Sequence, residues 1–298
     1  MLYNRFRIDN DMVYSIDYLQ IDFGLGLLSE DVLSLLYGSF DFEKIRHFGV
    51  LDCNSGVKHL AKYDLHWWQF GGFHVEVWPC SDSSKQVYWF LRMKFNPNKN
   101  FDNPALKNVF RFLTRCGWVN GWHFSRVDYA VDVQGPLSAF YVLSRKTETN
   151  YGTTRYYGVR GSSGYLRVYD KRQEQKDKAG EDIGFDWTRF EWEQRGNRDL
   201  DFSFDQFSRM DLSGFDGATR IFKYVSPEFI NQAINEFSPN YRAKLKKQLF
   251  SPVSVKQELF RELLDEYIKE YSLVGLRAFT DSQLFEMYKD VPLTFNFL

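Results

Sequence analysis

Cysteine is scarce in this chain of 298 residues: Cys53, Cys80 and Cys116 are odd in number and far apart. They form no Cys-x-x-Cys pair, which argues against a disulfide framework or a cysteine zinc site and suggests reduced thiols in a cytoplasm. The five histidines, at 47, 59, 66, 74 and 123, include neither a His-Glu-x-x-His spacing nor a His-x-His pair. The nearest approach is FHVEVW, where His74 and Glu76 share one strand face, and His74 reads as a satisfied histidine rather than a ligand. No apolar run approaches the ~20 residues that cross a bilayer. The opening MLYNRFRIDNDM is charged and has no apolar stretch, so no secretory leader is expected there. Nor is there an overall basic excess: the net charge is -1. Any binding of nucleic acid must therefore rely on local patches.

Aromatic residues, by contrast, are abundant, at 18% of the chain with 29 Phe, 18 Tyr and 8 Trp. Strands favour such residues, so most are expected in a sheet-rich core. A minority, with Trp67 and Trp68 as candidates, could instead stack unpaired bases, although core packing is the expectation for both.

The alternation of VYSIDYLQIDFGLG (13–26) reads as a first strand, and SEDVLSLLYG (29–38) as a short helix ending at glycine. Residues 47–95 hold several strand candidates separated by turns at Ser-Gly, Gly-Gly and Ser-Asp-Ser-Ser, as antiparallel hairpins would be. NPALKNVFRFLTRCG (103–117) has helical spacing, HFSRVDYAVDVQG (123–135) is a strand, and LSAFYVLSRKTE (137–148) reads as a helix. TTRYYGVRGSSGYLRVYDK (153–171) is a hairpin, KRQEQKDKAGED (171–182) an exposed, mobile connector, and DWTRFEWEQR (186–195) another alternating strand. From Ser226 onward SPEFINQAINEF, NYRAKLKKQLF, VKQELFRELLDEYIKEY and DSQLFEMYK are helical by period. The expected class is α+β, a largely antiparallel sheet with flanking helices in residues 1–225, followed by a helical C-terminal part in 226–298.

Three strands share an unusual habit. Arg126, Asp128, Ala130 and Asp132 lie on one face of SRVDYAVDV, and Arg189, Glu191, Glu193 and Arg195 on one face of TRFEWEQR. In GYLRVYDK the corresponding row is Tyr165, Arg167, Tyr169 and Lys171. Solvated faces laced with cross-strand ion pairs are one explanation, each pair being worth a fraction of a kcal/mol. Paired acids beside a Tyr–Arg–Lys row also suit phosphodiester transfer to tyrosine. Carboxylates supply the hard oxygen donors that Mg²⁺ or Mn²⁺ prefers, and such a metal stabilises charge during in-line displacement. A phenol, with a pKa near 10, becomes a nucleophile when a cation or metal favours its phenolate. Arg167, Lys171 or Arg160 could do so or could hold phosphate oxygens.

These stretches resemble the replication initiation factor (Rep_trans) family, whose pattern is R-[VI]-D-x-x-x-D, a Gly-x-Arg-x-Ser turn leading to R-[VIF]-Y-[DE]-K, and R-[FY]-E-x-[EQ]. The matching residues are Arg126–Asp132, Gly158–Arg160 with Ser162, Arg167–Lys171 and Arg189–Glu193, within a resemblance covering about residues 13–200. It implies a site-specific nickase that joins a 5′ DNA end to tyrosine, as in rolling-circle plasmid initiators and related conjugative relaxases. By motif position Tyr169 is the nucleophile, with Tyr165 in reserve. Asp128, Glu191 and Glu193 match the acidic positions expected to bind Mg²⁺ or Mn²⁺, and Asp132 is a fourth candidate that could instead only pair with an arginine. The implied partner is DNA, as a double-strand or transfer origin and as single strand after nicking, in a bacterial cytoplasm and away from any membrane. A host helicase and a second copy of this chain are further candidate partners, and the resemblance makes residues 226–298 a candidate for DNA recognition or dimerisation. Arg242, Lys244, Lys246 and Lys247 form the best basic segment outside the site. A non-catalytic DNA-binding regulator and a water-using metal nuclease are the competing readings.

Overall fold

The structure, a computed structural model, describes residues 5–26, 53–60, 64–81, 87–115, 119–180, 182–196, 204, 206–211 and 225–276. The helices expected at 29–38 and 281–289, and most of the strand expected at 48–54, lie outside the described residues.

One antiparallel sheet dominates. Its order is β3 (Cys53–His59), β4 (Asp64–Phe70), β5 (Phe73–Ser81), β6 (Val87–Phe95), β2 (Met12–Gly26), β7 (Gly121–Gln134), β12 (Trp187–Arg195), β11 (Tyr165–Asp170), β10 (Thr154–Tyr157) and β9 (Glu148–Tyr151). A short β1 (Arg7–Asp9) pairs with the first residues of β2. A second sheet has the order β14 (Phe250–Val253), β13 (Gln206–Met210), β8 (Phe140–Leu143). The architecture is the α+β class read from the sequence.

Strand alternation sorts the main sheet into an apolar and a charged face. Val127, Tyr129, Val131, Phe190, Trp192 and Val168 point into the core. That face is covered by α2 (Pro104–Arg115), through Leu106, Val109, Phe110 and Leu113, and by α6 (Gln257–Glu270), through Phe260, Leu263, Leu264 and Tyr267. Full burial of a Leu or Phe side chain contributes roughly 1.5–3 kcal/mol. Aromatic contacts tie these layers together: Phe110 stacks on Tyr271 with centroids 4.4 Å apart, and Tyr14 meets Phe260 edge-on at 5.3 Å. Phe190 of β12 stacks on Phe207 of β13 at 3.8 Å, joining the second sheet to the same core. The helices α4 (Pro227–Asn235) and α5 (Pro239–Leu249) bury Ile230, Ile234 and Leu249 with Phe250 in a smaller cluster. Thus α6 belongs to the core of the main sheet, and β14 completes the second sheet.

Three local expectations are corrected. Residues 137–148 are not a helix: a single 3-10 turn, Leu137–Ala139, leads into β8, and β9 begins at Glu148. Phe140 and Val142 are buried alternately, and pairing with β13 overrides the helical spacing. Ser55 and Gly56 lie inside β3 rather than in a turn. The expected connector after Asp170 is the helix α3 (Lys171–Ala179), capped where the Asp170 side chain accepts from the Gln173 amide at 3.0 Å. Gly180 ends it in the left-handed region at φ 70°. The alternating charges close onto one another, with Lys178 bonded to Glu174 at 2.6 Å and Arg172 to Asp182 at 2.7 Å. A short α1 (Pro97–Asn100) precedes α2.

Candidate active site

Register brings the charged face of three strands together. Tyr165, Arg167 and Tyr169 of β11 lie opposite Glu193, Glu191 and Arg189 of β12. Those residues lie opposite Asp128, Ala130 and Asp132 of β7. Ala130, fully buried, is the small residue at the centre of the patch, opposite Glu191 on one side and Ser15 on the other.

Arg189 is buried and grips Asp132 bidentately, at 2.6 and 2.5 Å, and reaches Asp17 at 2.7 Å. Arg126 holds Asp128 bidentately at 2.7 and 2.6 Å and touches Glu193 at 3.0 Å, and Arg195 also bonds Glu193. Arg167 bonds Glu191 and lies 3.5 Å from Asp128 through the same nitrogen, Nη2. The Tyr169 hydroxyl donates to Glu191 Oε2 at 3.3 Å.

Burial governs the protonation of this cluster. It pushes the Tyr169 phenol well above its ordinary value; Arg189 pulls the other way, and Glu191, Glu174 and Asp17 add to the rise. The phenol is therefore held protonated in this arrangement. Burial also lifts the Glu191 carboxyl to about 7, with Asp128 and Asp17 raising it and Arg167 and Arg189 opposing. The Asp128 carboxyl is likewise raised by burial, against the pull of Arg126 and Arg167.

The other sequence candidates fall in different places. Lys171 is not on the strand row. It is the first residue of α3, paired with Glu174, and its ammonium lies 5.8 Å from the Tyr169 ring centroid. Arg160 is exposed in the β10–β11 turn, where it acts on Tyr165 rather than Tyr169. Tyr165 itself is buried and stacks on Tyr156, with centroids 6.0 Å apart. It stands four residues from Tyr169, about 13 Å along a strand. On α5, Arg242 donates to the Phe237 carbonyl at 2.9 Å and Lys246 lies 4.0 Å from the Tyr141 ring centroid, while Lys244 and Lys247 are exposed.

Two participants were missed as site residues. Arg189, not Lys171 or Arg160, is the cation that opposes the raised pKa of the phenol. Asp17 reaches the site because β2 bulges between Ile16 and Tyr18. The sequence carries that signal: the buried positions run 14 and 16, then change phase to 19, 21 and 23.

Divalent-metal binding can be tested against this donor set. Among the described residues no three Asp, Glu, His or Cys side chains converge as a metal cluster. Hard oxygen donors of the kind such an ion takes are present, but each is held by an arginine rather than left open. Five buried or half-buried acids (Asp17, Asp128, Asp132, Glu191, Glu193) face four arginines, and one guanidinium nitrogen of Arg167 occupies the gap between Asp128 and Glu191. His74 bonds Gln69 at 3.0 Å and Glu76 at 3.1 Å, the satisfied histidine read from the sequence.

A half-covered antiparallel sheet that presents a tyrosine among arginines and buried carboxylates defines the class of site. Comparison with known proteins narrows it. Residues 138–242 match the replication initiation factor family, so the chain resembles that family over β8–β13, α4 and the start of α5. This span lies further toward the C-terminus than the 13–200 expected from motifs, and leaves β7 outside. Two replication initiation proteins of Staphylococcus aureus are each 33% identical over 104 residues, 31% of this chain and 31% or 32% of theirs. A third is 34% identical over 100 residues, 30% of each chain. The aligned stretch thus spans about a third of each relative. No helix among the described residues is long and apolar enough to cross a membrane.

Proposed function

We propose that this protein is a replication initiator that nicks one strand of its origin and becomes joined to the 5′ end through Tyr169. The observation that carries the reading is the Tyr169 hydroxyl, hydrogen-bonded to Glu191 beside Arg167 on the charged face, within the segment matched to the initiator family. In the reaction, Tyr169 Oη forms a bond to the scissile phosphorus while the bond from phosphorus to the 3′ oxygen breaks. The phenolic proton passes to Glu191 Oε2, and the departing 3′ oxygen takes a proton from solvent water to become the 3′-OH that primes synthesis. Phosphodiester energy is conserved in the tyrosyl link, so the strand can be resealed.

Arg167 would hold phosphate oxygens; its guanidinium being the more exposed partner of its pairs with Asp128 and Glu191 supports this role. Arg189 and Lys171 flank the phenol and orient it. Asp128 and Glu193, both held by Arg126 in this structure, would hold Mg²⁺ or Mn²⁺ on exchanging that arginine for the ion, which leaves Glu191 to the phenolic proton; the ion would supply charge neutralisation at the phosphate. Lys244 and Lys247 are candidates for duplex phosphates at the origin. The same chemistry would serve a conjugative relaxase; the origin cleaved distinguishes the two.

The test is incubation of supercoiled DNA carrying the protein's own replicon with Mg²⁺ or Mn²⁺, wild type beside Tyr169→Phe, resolved with and without protease. A protein–DNA adduct from wild type that is absent from the variant is expected. Nicking that survives Tyr169→Phe without an adduct would favour a water-using nuclease. Origin binding without any nick would favour the non-catalytic regulator.

A further inference from the structure

The charged face continues well beyond Tyr169. Arg195 lies opposite Arg126, Arg126 opposite Gln20, Gln20 opposite Lys94, and Lys94 opposite His74, a line across five strands. At its end Trp67 of β4 lies nearly parallel to His74, with centroids 6.0 Å apart and planes 18° apart. Trp67 and Trp68 point to opposite faces: Trp68 is core, whereas Trp67 is half-buried on the charged side. Gly56 is opposite Trp67, and a Cβ there would come within 2.9 Å of the indole. A glycine at this position lets the ring lie flat across β3.

The ion pairs of this face are sorted by depth. The Arg126 side chain is 20% exposed over Asp128 at 2%, Arg92 is 19% exposed over Asp22 at 0%, and Arg167 is 35% exposed over Glu191 at 5%. Lys94 over Glu76 and Arg195 over Glu193 follow the same order; Arg189 is the exception. Solvent therefore meets cations, with the carboxylates as a floor beneath them. This surface is complementary to a polyanion although the chain is near neutrality.

Resting on the proposed function, we infer that this face is the track for the unpaired DNA strand, running from Tyr169 past Arg167, Arg126 and Lys94 to a base-stacking shelf formed by Trp67 and His74. Six strand-to-strand steps separate β11 from β4, about 29 Å at ~4.8 Å per step. That span matches roughly nine stacked nucleotides at ~3.4 Å each. Phosphates lie on the cation row and a base covers the indole, as in sequence-tolerant single-strand binding. A duplex offers no free base face to the shelf, so the occupant is single-stranded.

The experiment measures binding of the full chain to fluorescein-labelled oligo(dT) of 20 nucleotides and to a 20-base-pair duplex, in EDTA, by anisotropy. Trp67→Ala should weaken oligo(dT) binding about 5- to 150-fold and leave duplex binding unchanged. Trp67→Phe, which keeps a ring for packing, should bind with near wild-type affinity and lose part of the tryptophan quenching seen on binding. Trp67→Ala bound as tightly as wild type, an equal loss on both probes, or unaltered quenching in Trp67→Phe would each overturn the inference. If Trp67→Ala does not fold, judged by circular dichroism, Trp67→Phe quenching and weakened oligo(dT) binding by His74→Ala carry the test. Wild type that forms the Tyr169 adduct while Trp67 proves irrelevant sinks the track alone. Trp67-dependent binding without any adduct on the replicon sinks the proposed function alone.

Discussion

Replacing Arg189 with methionine removes the cation that holds Asp132 and Asp17. Arg189 and Asp132 are both buried, joined by two hydrogen bonds of 2.6 and 2.5 Å, and Asp17 adds a third at 2.7 Å. Methionine fills much of the volume but leaves the Asp132 carboxylate buried without its partner. Breaking one side of such a pair costs about 3–5 kcal/mol. With a urea dependence of about 3 kcal/mol per M, the unfolding midpoint should fall by roughly 1–1.7 M.

The double variant Arg189→Met, Asp132→Leu separates the mechanism from a simple packing loss. It removes the stranded charge, so most of the lost stability should return, because two well-packed apolar residues can replace a buried pair at little cost. Asp17 remains, but its side chain is 20% exposed and can hydrate. A coupling of about 2 kcal/mol or more is expected from the cycle of urea titrations. Arg189→Met within 1 kcal/mol of wild type, or a double variant no more stable than the single one, would refute the view that Arg189 is fixed by its acids. Assayed below its melting range, Arg189→Met should also form the Tyr169 adduct more slowly, since the phenol loses the cation opposing its raised pKa.

Tyr165→Phe should retain the protein–DNA adduct on the replicon while Tyr169→Phe abolishes it, because Tyr169 bonds Glu191 whereas Tyr165 stacks on Tyr156; the reverse pattern would move the nucleophile. Burial alone would raise the Asp22 carboxyl, but Arg92, with His123 and Ser125, holds it at about 2. Its folded pKa lies below the ordinary value, so the pair contributes stability above about pH 4 that is lost as pH falls toward 2, on the order of 2 kcal/mol. Urea unfolding of Asp22→Asn at pH 5 and pH 3 should show a shallower decline than wild type, and parallel declines would count against the pair. Gly56→Ala should displace the Trp67 indole, shifting tryptophan emission and costing about 1–3 kcal/mol; an unchanged spectrum would mean that the ring does not lie across β3.

Much of the site was legible because alternation is a short-range rule. Once Val127, Tyr129 and Val131 point inward, Arg126, Asp128 and Asp132 must point out, and the same holds for β12 and β11. What the rule could not supply is where each cation ends. Lys171 continues the period of Tyr165, Arg167 and Tyr169, yet Asp170 caps a helix there and takes Lys171 off the strand row. The Asp170 to Gln173 cap is itself local, and Gly180 as terminator makes α3 readable in retrospect. Segment 137–148 is different. Its helical spacing is real, and only the distant β13, through Phe207, decides that Phe140–Leu143 is a strand. Asp17 depended on a bulge, visible in the change of core phase between Ile16 and Leu19.

Net charge near zero, read as a sum, is no measure of what one face presents. The depth sorting of the ion pairs shows why. A carboxylate one layer below a guanidinium cancels its charge in a count. It also fixes the guanidinium in place and leaves that cation as the group an incoming phosphate meets. Such a face need not repel a strand for want of excess lysine, and it holds its donors in a defined array rather than on flexible stems. The arrangement has a consequence for salt. Each phosphate bound on this face meets a cation already partnered from below, so binding should release fewer counterions than the same number of free surface lysines would. The slope of oligo(dT) affinity against salt should then be shallower than -0.7 per cation contacted. A steeper slope, matching one free cation for every phosphate on the track, would mean that the acids move away on binding and that the floor is not fixed.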